Sequence, residues 1–270
     1  MTGHHTRIAT GIDHVIVDAL DNRAVYRFIT EVLALPSAWP LAQWGEIHEA
    51  GVNLGSCNIG CNHQPADNDS APTVRMIALE PAHPIPVVID MLSERGLVPT
   101  EALVSGVIEH LPDEEPFKPW RQGFTNVGVF GDRLDTLPFI CAYDHDVEER
   151  QGSQLAQLES SGGGVLGITG LTAVILHTDD VAALGASWEC LLGSQARVAT
   201  DRLTPNRGPE LHLATGDAPP ALVLGVHSAS DAATALHEVG INSHQQGEVL
   251  KLDPADTVGL DIRLIESQRR

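Results

Sequence analysis

The sequence of 270 residues has few basic residues, few aromatic residues and no long hydrophobic run. Lys and Arg number 16 against 36 Asp and Glu, which gives a formal charge of −20. Such a surface repels nucleic-acid phosphates and anionic lipids, so we expect neither nucleic acid nor membranes as partners. No run reaches the roughly 18 apolar residues that a membrane-spanning helix needs, and the N-terminal residues lack the apolar segment of a signal peptide. We therefore expect a cytoplasmic protein, a monomer or homodimer, whose partner is a small molecule.

Cysteine is also scarce. The four cysteines, Cys57, Cys61, Cys141 and Cys190, are too few for a disulfide framework in a chain of this length. Cys57, Cys61 and His63 would share one strand face, but the spacing of a tetrahedral zinc site is missing. We interpret the cysteines as buried free thiols.

The most informative feature of the chain is an internal repeat. Gly11–Asp21 matches Gly170–Asp180 without a gap, and each is an apolar run that ends in an aspartate able to cap a helix. Helical periodicity follows both segments. A second pair of similar units begins at Val74–Leu79 and at Ala221–Val226, and each unit continues into short strand-like runs. The pattern predicts four strand–helix–strands units arranged as two pairs.

The boundary between the two pairs falls in a polar segment. Glu148–Gly164 ends in Ser160-Ser-Gly-Gly-Gly164, a composition typical of a flexible linker. We expect a first domain over residues 1–150, a linker over 151–164 and a second domain over 165–270. Two units must pair to close a core, which predicts an α+β architecture. A glycine-rich phosphate loop and a nucleophile elbow are both missing from the sequence.

On these residues the chain resembles the vicinal oxygen chelate superfamily. The resemblance rests on Ile12–Val17, Val32–Leu35, Trp39–Gly45 with Gly51–Gly55, and Phe139–Asp144. The superfamily includes glyoxalase I, extradiol dioxygenases and bleomycin-binding resistance proteins. The resemblance implies four βαβββ modules, paired into two glyoxalase-like domains with cupped mixed sheets. It also implies that a ligand binds inside a cup, while it leaves the activity open because one fold hosts several chemistries.

In metal-dependent relatives, the resemblance implies ligands on the first and last strands of each paired module. His14 matches the first of these positions. The other expected positions hold residues that do not supply the expected ligand: Gly60, Met76 and Ala142 in the first half, and Ala173 and Arg263 in the second, where Arg263 is aligned with Ala142. We therefore expect no metal at the usual four positions.

A shifted metal site remains an alternative. Glu46 and His48 alternate along one predicted strand, so their side chains share a face. With His14 they would make a two-histidine, one-carboxylate set, which suits Fe(II), Mn(II) or Zn(II). The competing interpretation places Glu46 and His48 in solvent on the rim of the cup.

Aromatic residues are candidates for the ligand-binding wall because they make up only 4% of the chain. Trp44 precedes Glu46, and Trp120 with Arg121 lies in a predicted loop that could cover the cup. An aromatic wall with an arginine suits a planar or anionic ligand. Core packing is the alternative for Trp44.

Two asparagines and His14 complete the candidate set. Asn53 and Asn58 fall in short strands, where an amide is unusual, and either bind a ligand or form turns. His14 lies in an apolar strand and could act as a general base near neutral pH, since the usual pKa of imidazole is about 6.5.

The sequence is compatible with two functions. The first is an enzyme that acts on a small organic molecule in the N-terminal cup, as an isomerase, lyase or oxygenase, with His14, Glu46 and His48 as catalytic residues. The alternative is a non-catalytic protein that sequesters a drug or metabolite, as the bleomycin-resistance relatives do. The lost metal positions favour this alternative, and the charge of −20 favours it if the ligand is cationic.

Overall fold

Two mixed β-sheets, one in each half of the chain, carry the architecture. The computed structural model describes residues 6–44, 47–63, 71–99, 104–110, 120–130, 137–144 and 146–267. In parts of some strands it describes the backbone but not the side chains. The first sheet is formed by β1 Ala9–Ala19, β2 Ser37–Trp44, β3 Ile47–Asn53, β4 Asn58–His63, β5 Thr73–Pro81, β6 Val98–Pro99, β7 Val104–His110, β8 Trp120–Phe130 and β9 Leu137–Tyr143. Their order is β2-β3-β4-β1-β5-β9-β8-β6, and β7 also pairs with β8.

The second sheet has the same order of equivalent strands. It contains β10 Ile168–Thr178, β11 Arg197–Ala199, β12 Arg202–Leu203, β13 Glu210–Thr215, β14 Ala221–Val226, β15 Ser243–Gln246, β16 Val249–Leu252 and β17 Ile262–Glu266. Their order is β11-β12-β13-β10-β14-β17-β16-β15. In both sheets the two central strands, β1 with β5 and β10 with β14, are antiparallel and join two modules edge to edge.

Among the described residues, one helix follows the first strand of each module, and a further helix lies in sequence between the two sheets. They are α1 Asn22–Arg27, α2 Ile85–Glu94, α3 Val147–Ser160, α4 Val181–Leu192 and α5 Ala229–Glu238, and α1 continues into a π-helical turn, Phe28–Val32. The predicted caps are confirmed, because Asp21 accepts a hydrogen bond from Ala24 N and Asp180 accepts one from Ala183 N. The predicted α+β fold with four modules in two pairs is therefore confirmed. Among the described residues, no helix is both long and apolar enough to cross a membrane.

Strand β1 shows how one sheet serves two environments. Val15 and Val17 belong to the main hydrophobic core, which the helices cover. His14 and Ile16 alternate with them, are also buried, and lie outside that core. They point to the opposite, concave face of the sheet because successive strand residues face opposite sides. The concave face is where the resemblance places a ligand.

Helix α3 lies between the two sheets in sequence. The prediction of a flexible segment is wrong for residues 147–160, because these residues are helical, with Asp146 as the N-cap. The helix packs on the first sheet, because Leu158 is buried and Asn53 Nδ2 donates to Gln154 O at 2.9 Å. The domain limits at 150 and 165 stay a prediction.

The two halves also contact each other directly. Ile12 N donates to Arg207 O at 3.1 Å, and Ile8 N donates to Leu191 O at 2.9 Å. Gly208 comes so close to strand β1 that a Cβ there would lie 2.2 Å from Ile12 O. The start of β1 is therefore held by backbone from the second half.

Candidate functional site

His14 and Asp13 form the central contact on the concave face of the first sheet. The Nδ1 atom of His14 lies 2.8 Å from Asp13 Oδ2, although adjacent residues of a regular strand point to opposite faces. The pairing of β1 with β5 is interrupted by a β-bulge between Ile12 and His14. Such bulges redirect side chains and are common near active sites. The bulge accounts for the meeting of these two neighbours.

Asp13 is held by two further groups. Tyr143 donates its hydroxyl to Asp13 Oδ2 at 3.2 Å, and an Nη2–H of Arg150 donates to Oδ1. Burial alone raises the pKa of Asp13, but the hydrogen bond from His14 and the charge of Arg150 outweigh it and lower the pKa to about 2. Asp13 is therefore a carboxylate at neutral pH.

The ionised state of Asp13 decides which nitrogen of His14 carries the proton. A carboxylate can only accept hydrogen bonds, so Nδ1 of a neutral His14 must be the donor. Nε2 then keeps its lone pair, which is the arrangement of a histidine general base with an orienting aspartate.

Glu49 also lies on this face and, like Asp13, is not among the candidate residues from the sequence. Glu49 pairs with Asn62 of β4, which lies two residues after Gly60 and therefore points to the same face as Gly60. A Cβ on Gly60 would lie 3.2 Å from Glu49 Oε1. Gly60 is the position where the resemblance implies a carboxylate. Glu49, from the neighbouring strand, brings a carboxylate to that place.

The surroundings of Glu49 favour its protonated form. Burial raises the pKa of its carboxyl group, and the nearby His14 only partly opposes this. A carboxyl group with a raised pKa and a histidine held by an aspartate are a pattern typical of acid–base sites.

Aromatic rings enclose His14 on two sides. The centroid of the Phe139 ring lies 5.5 Å from the centroid of the imidazole, and the centroid of the Trp39 ring lies 6.1 Å from it. Both rings meet the imidazole edge to face. Trp39 lies flat on the backbone at Gly51, where a Cβ would come within 2.2 Å of the indole. These rings restrict the imidazole and keep its surroundings apolar.

The predicted partners of His14 are placed differently. His48 follows Ile47 and precedes Glu49, so its side chain points to the face of β3 opposite Glu49. There its ring centroid is 5.8 Å from that of His63. This placement does not support the predicted set of His14, Glu46 and His48, and Glu46 lies outside the described residues.

The predicted ligand-binding residues divide into two groups. Asn53 is fully buried, and its Nδ2 donates to Gln157 Oε1 at 2.7 Å as well as to α3 backbone. Asn58 is 2% exposed and pairs in register with His14, and its Oδ1 has no hydrogen-bond partner among the described residues. The side chains of Trp44, Trp120 and Arg121 lie outside the described part of the chain. A ligand role for Asn58 and for these three stays a prediction.

The expected alignment between the last strands of the two sheets is wrong. Phe139 and Ala78 pair in the first sheet as Arg263 and Val223 pair in the second, so the counterpart of Arg263 is Phe139 and not Ala142. Because Phe139 faces His14, alternation places Cys141 on the concave face and Ala142 behind it. Tyr143 also belongs to the concave side, where it contacts Asp13.

The described residues do not fit the divalent metal that the fold family implies. His14 and Glu49 offer one nitrogen and one carboxylate, whereas catalytic zinc sites use three protein ligands. Among the described residues, no group of three or more His, Cys, Asp or Glu side chains is placed to hold a metal ion. Met76 and Cys141 lie at the other positions on this face.

No sequence-family model matches the chain, and no curated protein matches it significantly. Solved structures do match it. The 2,3-dioxygenase LapB from Pseudomonas sp. KL28 is 10% identical with a TM-score of 0.57, covering 97% of this chain and 94% of that one. The Mn(II)-bound glyoxalase from Novosphingobium aromaticivorans is 14% identical with a TM-score of 0.56, covering 97% and 83%.

A third match is homoprotocatechuate 2,3-dioxygenase from Brevibacterium fuscum in complex with 3,4-dihydroxyphenylacetate. It is 12% identical with a TM-score of 0.57, and the match covers 100% of this chain and 83% of that one. At these identities the likeness shows the fold alone. The predicted vicinal oxygen chelate fold is thereby confirmed over nearly the whole chain.

Proposed function

We propose that the concave face of the first sheet is the active site of an enzyme that transfers protons on a small organic molecule, as an isomerase or a lyase. The observation that carries this proposal is the buried His14–Asp13 hydrogen bond with Glu49 on the same face. Asp13 is ionised, with a pKa of about 2, so among the neutral tautomers of His14 it selects the one that carries the proton on Nδ1 and leaves Nε2 able to accept a proton. A position that only had to pack would not need this arrangement.

In the proposed reaction, Nε2 of His14 takes a proton from a carbon next to a carbonyl group. The electron pair of that C–H bond forms the carbon–carbon double bond of an enol, and Glu49 gives its proton to the carbonyl oxygen. Asp13 stabilises the imidazolium, as the aspartate of a catalytic triad does. In an isomerisation of a 2-hydroxy carbonyl compound, the imidazolium gives its proton to the former carbonyl carbon, and Glu49 takes back a proton from the hydroxyl of the carbon that lost its hydrogen. In an elimination, Glu49 takes back the enol proton, the carbonyl re-forms, and the β-leaving group departs with the proton of the imidazolium.

His14 and Glu49 supply fewer metal ligands than an oxygenase of this fold would require. Oxygenative cleavage in this fold is expected to use Fe(II) or Mn(II), and His14 with Glu49 is one ligand short of a two-histidine, one-carboxylate site. The isomerase and lyase types need only proton transfer, so we favour these two of the three types expected from the sequence.

The direct test is exchange of carbon-bound hydrogen with solvent. The wild-type protein is incubated in D2O with small 2-oxo acids, hydroxyaldehydes and β-hydroxy ketones, and loss of the α-proton signal is followed by NMR. We expect exchange of at least one compound, and His14→Gln should slow it by about 100-fold or more. His48→Gln, on the other face of β3, is the matched control and should leave the rate unchanged.

The alternative of a binding protein predicts a different outcome. Compounds would then raise the melting temperature of wild type and of His14→Gln equally, without exchange. That result would contradict the enzyme proposal.

A further inference from the structure

Arg150 reaches the candidate site from helix α3, outside the sheet that carries His14. Its side chain is only 13% exposed, and its guanidinium lies 4.6 Å above the centroid of the Tyr143 ring. It donates to Asp13 Oδ1, while His14 occupies Oδ2 of the same carboxylate. The two oxygens of Asp13 are therefore divided between the imidazole and the guanidinium.

The contact is directional. His14 and Tyr143 both donate to Oδ2, and the described donor to Oδ1 is Arg150. The hydrogen bond from Arg150 to Oδ1 adds a second fixed point and sets the plane of the carboxylate. A buried guanidinium is also always charged, so Asp13 stays ionised in its presence.

We propose that Arg150 is a positioning residue: through Asp13 it fixes His14 in the tautomer that carries the proton on Nδ1 and leaves the lone pair of Nε2 on the concave face. Its importance for catalysis rests on the proposed function, but the tautomer itself does not. The sequence offers little signal for this role, because Arg150 is one arginine in a polar segment that resembles a linker.

The second half of the chain takes part through Arg207, which pairs with Glu80 of β5. Glu80 lies 4.0 Å from Arg150 Nη2, accepts a hydrogen bond from Thr10 at 2.8 Å, and pairs with Arg207 at 3.4 Å. Arg207 also pairs with Glu148 of α3 at 2.8 Å. Arg150 is thus held on the sheet side by carboxylates of β1 and β5, and its helix is tied to a loop of the second half.

A merely structural role for Arg150 is the competing explanation. In that case the guanidinium would tie α3 to the sheet, and its loss would lower stability without changing the protonated nitrogen of His14. Stability measurements alone cannot separate the two explanations, so the readout must be the imidazole.

The test is ¹⁵N NMR of the histidine side chains, without any substrate, in the full-length protein at neutral pH. Long-range ¹H–¹⁵N spectra distinguish a protonated from an unprotonated nitrogen, and the His14 signals are assigned by their loss in His14→Gln. In wild type we expect Nδ1 protonated and Nε2 unprotonated. In Arg150→Gln, Asp13 is no longer held at Oδ1 and can turn away from His14, so we expect loss of this single state and appearance of Nε2-protonated His14.

Two further variants sharpen the result. Arg150→Lys retains a positive donor near Asp13 and should restore the wild-type pattern. Arg197→Gln removes an arginine of similar exposure, paired with Glu189 at 3.5 Å in the second half, and should leave His14 unchanged. A folded Arg150→Gln with wild-type His14 signals would overturn the proposal.

A second measurement covers the case in which Arg150→Gln does not fold. The guanidinium of Arg150 in the wild-type protein should give separate Nη signals, because a group held by Asp13 rotates slowly. A single averaged signal, typical of a freely rotating guanidinium, would overturn the proposal without any variant. The enzyme proposal fails separately, if the tautomer is as expected but no compound exchanges its α-proton.

Discussion

Each half of the molecule contains a histidine bonded to a carboxylate, and the two pairs have the same length. His14 Nδ1 to Asp13 Oδ2 and His212 Nε2 to Glu210 Oε2 are both 2.8 Å. The side chains of the first pair are 7% and 1% exposed, whereas those of the second are 39% and 31% exposed. Distance alone therefore does not distinguish a candidate site from a solvated surface pair.

The second pair also stands at a different place in its sheet. His212 pairs with Ile175 as Gly60 pairs with Ile16, and the strand position of His14 is occupied by Ala173. The second concave face carries Arg263 and Lys251, both bonded to Asp261 at 3.0 and 3.2 Å. Burial and a third charged partner, Arg150, are what set the first pair apart.

The largest effect expected from this difference is on stability. Asp13→Asn removes the charge that compensates the buried Arg150, which costs about 3–5 kcal/mol of unfolding free energy. Glu210→Gln in the exposed pair should cost less than about 1 kcal/mol. Urea denaturation of both variants measures the difference, and equal losses would show that the first pair is no more buried in solution than the second.

Acid sensitivity should differ in the same direction. The pKa of Asp13 is about 2 in the folded protein against 3.8 for an ordinary aspartate, so its ionised form stabilises the fold above about pH 4. This contribution, about 2 kcal/mol, is lost as the pH falls from about 4 to 2. The unfolding free energy measured by urea denaturation across this range should fall more steeply for wild type than for Asp13→Asn. Parallel curves would contradict the lowered pKa.

The sequence was sufficient for the features that depend on local pattern. The repeat, the aspartate caps and the apolar first strands follow from residue order, and the position of His14 follows from the repeat. Glu49 could not be placed, because the choice between it and its neighbours depends on where strand β3 begins, and one residue of register reverses the face. Arg150 could not be placed either, since it meets Asp13 across 137 residues of chain.

A smaller effect, of opposite sign, is expected at Glu49. Burial raises the pKa of its carboxyl group, so its ionised form lowers stability as the pH rises through the folded-state pKa. Glu49→Gln keeps the shape but cannot ionise in either the folded or the unfolded state, so we expect a gain of about 1 kcal/mol at neutral pH, together with lost proton exchange. Glu210→Gln, whose carboxyl pKa is lowered by hydrogen bonds from His212 and Thr204 despite some burial, should give no gain.

A gain for Glu49→Gln with unchanged exchange would remove Glu49 from the proposed reaction while leaving its burial intact. A loss of stability would instead indicate that Glu49 is ionised and paired at neutral pH.

The smallest effect on stability is expected at Gly60, the position that His212 occupies in the second sheet. A Cβ there would lie 3.2 Å from Glu49 Oε1 and 3.5 Å from Ile16 Cγ1, so the flexible carboxylate must move by a few tenths of an ångström. We expect Gly60→Ala to change the unfolding free energy by less than about 1 kcal/mol. The exchange rate should nevertheless fall, because the displaced carboxylate is the one beside His14, whereas His212→Ala should change neither quantity. If Gly60→Ala also left exchange intact, the carboxylate that the first sheet brings to this position would have no part in the chemistry, and the two sheets would differ in burial alone.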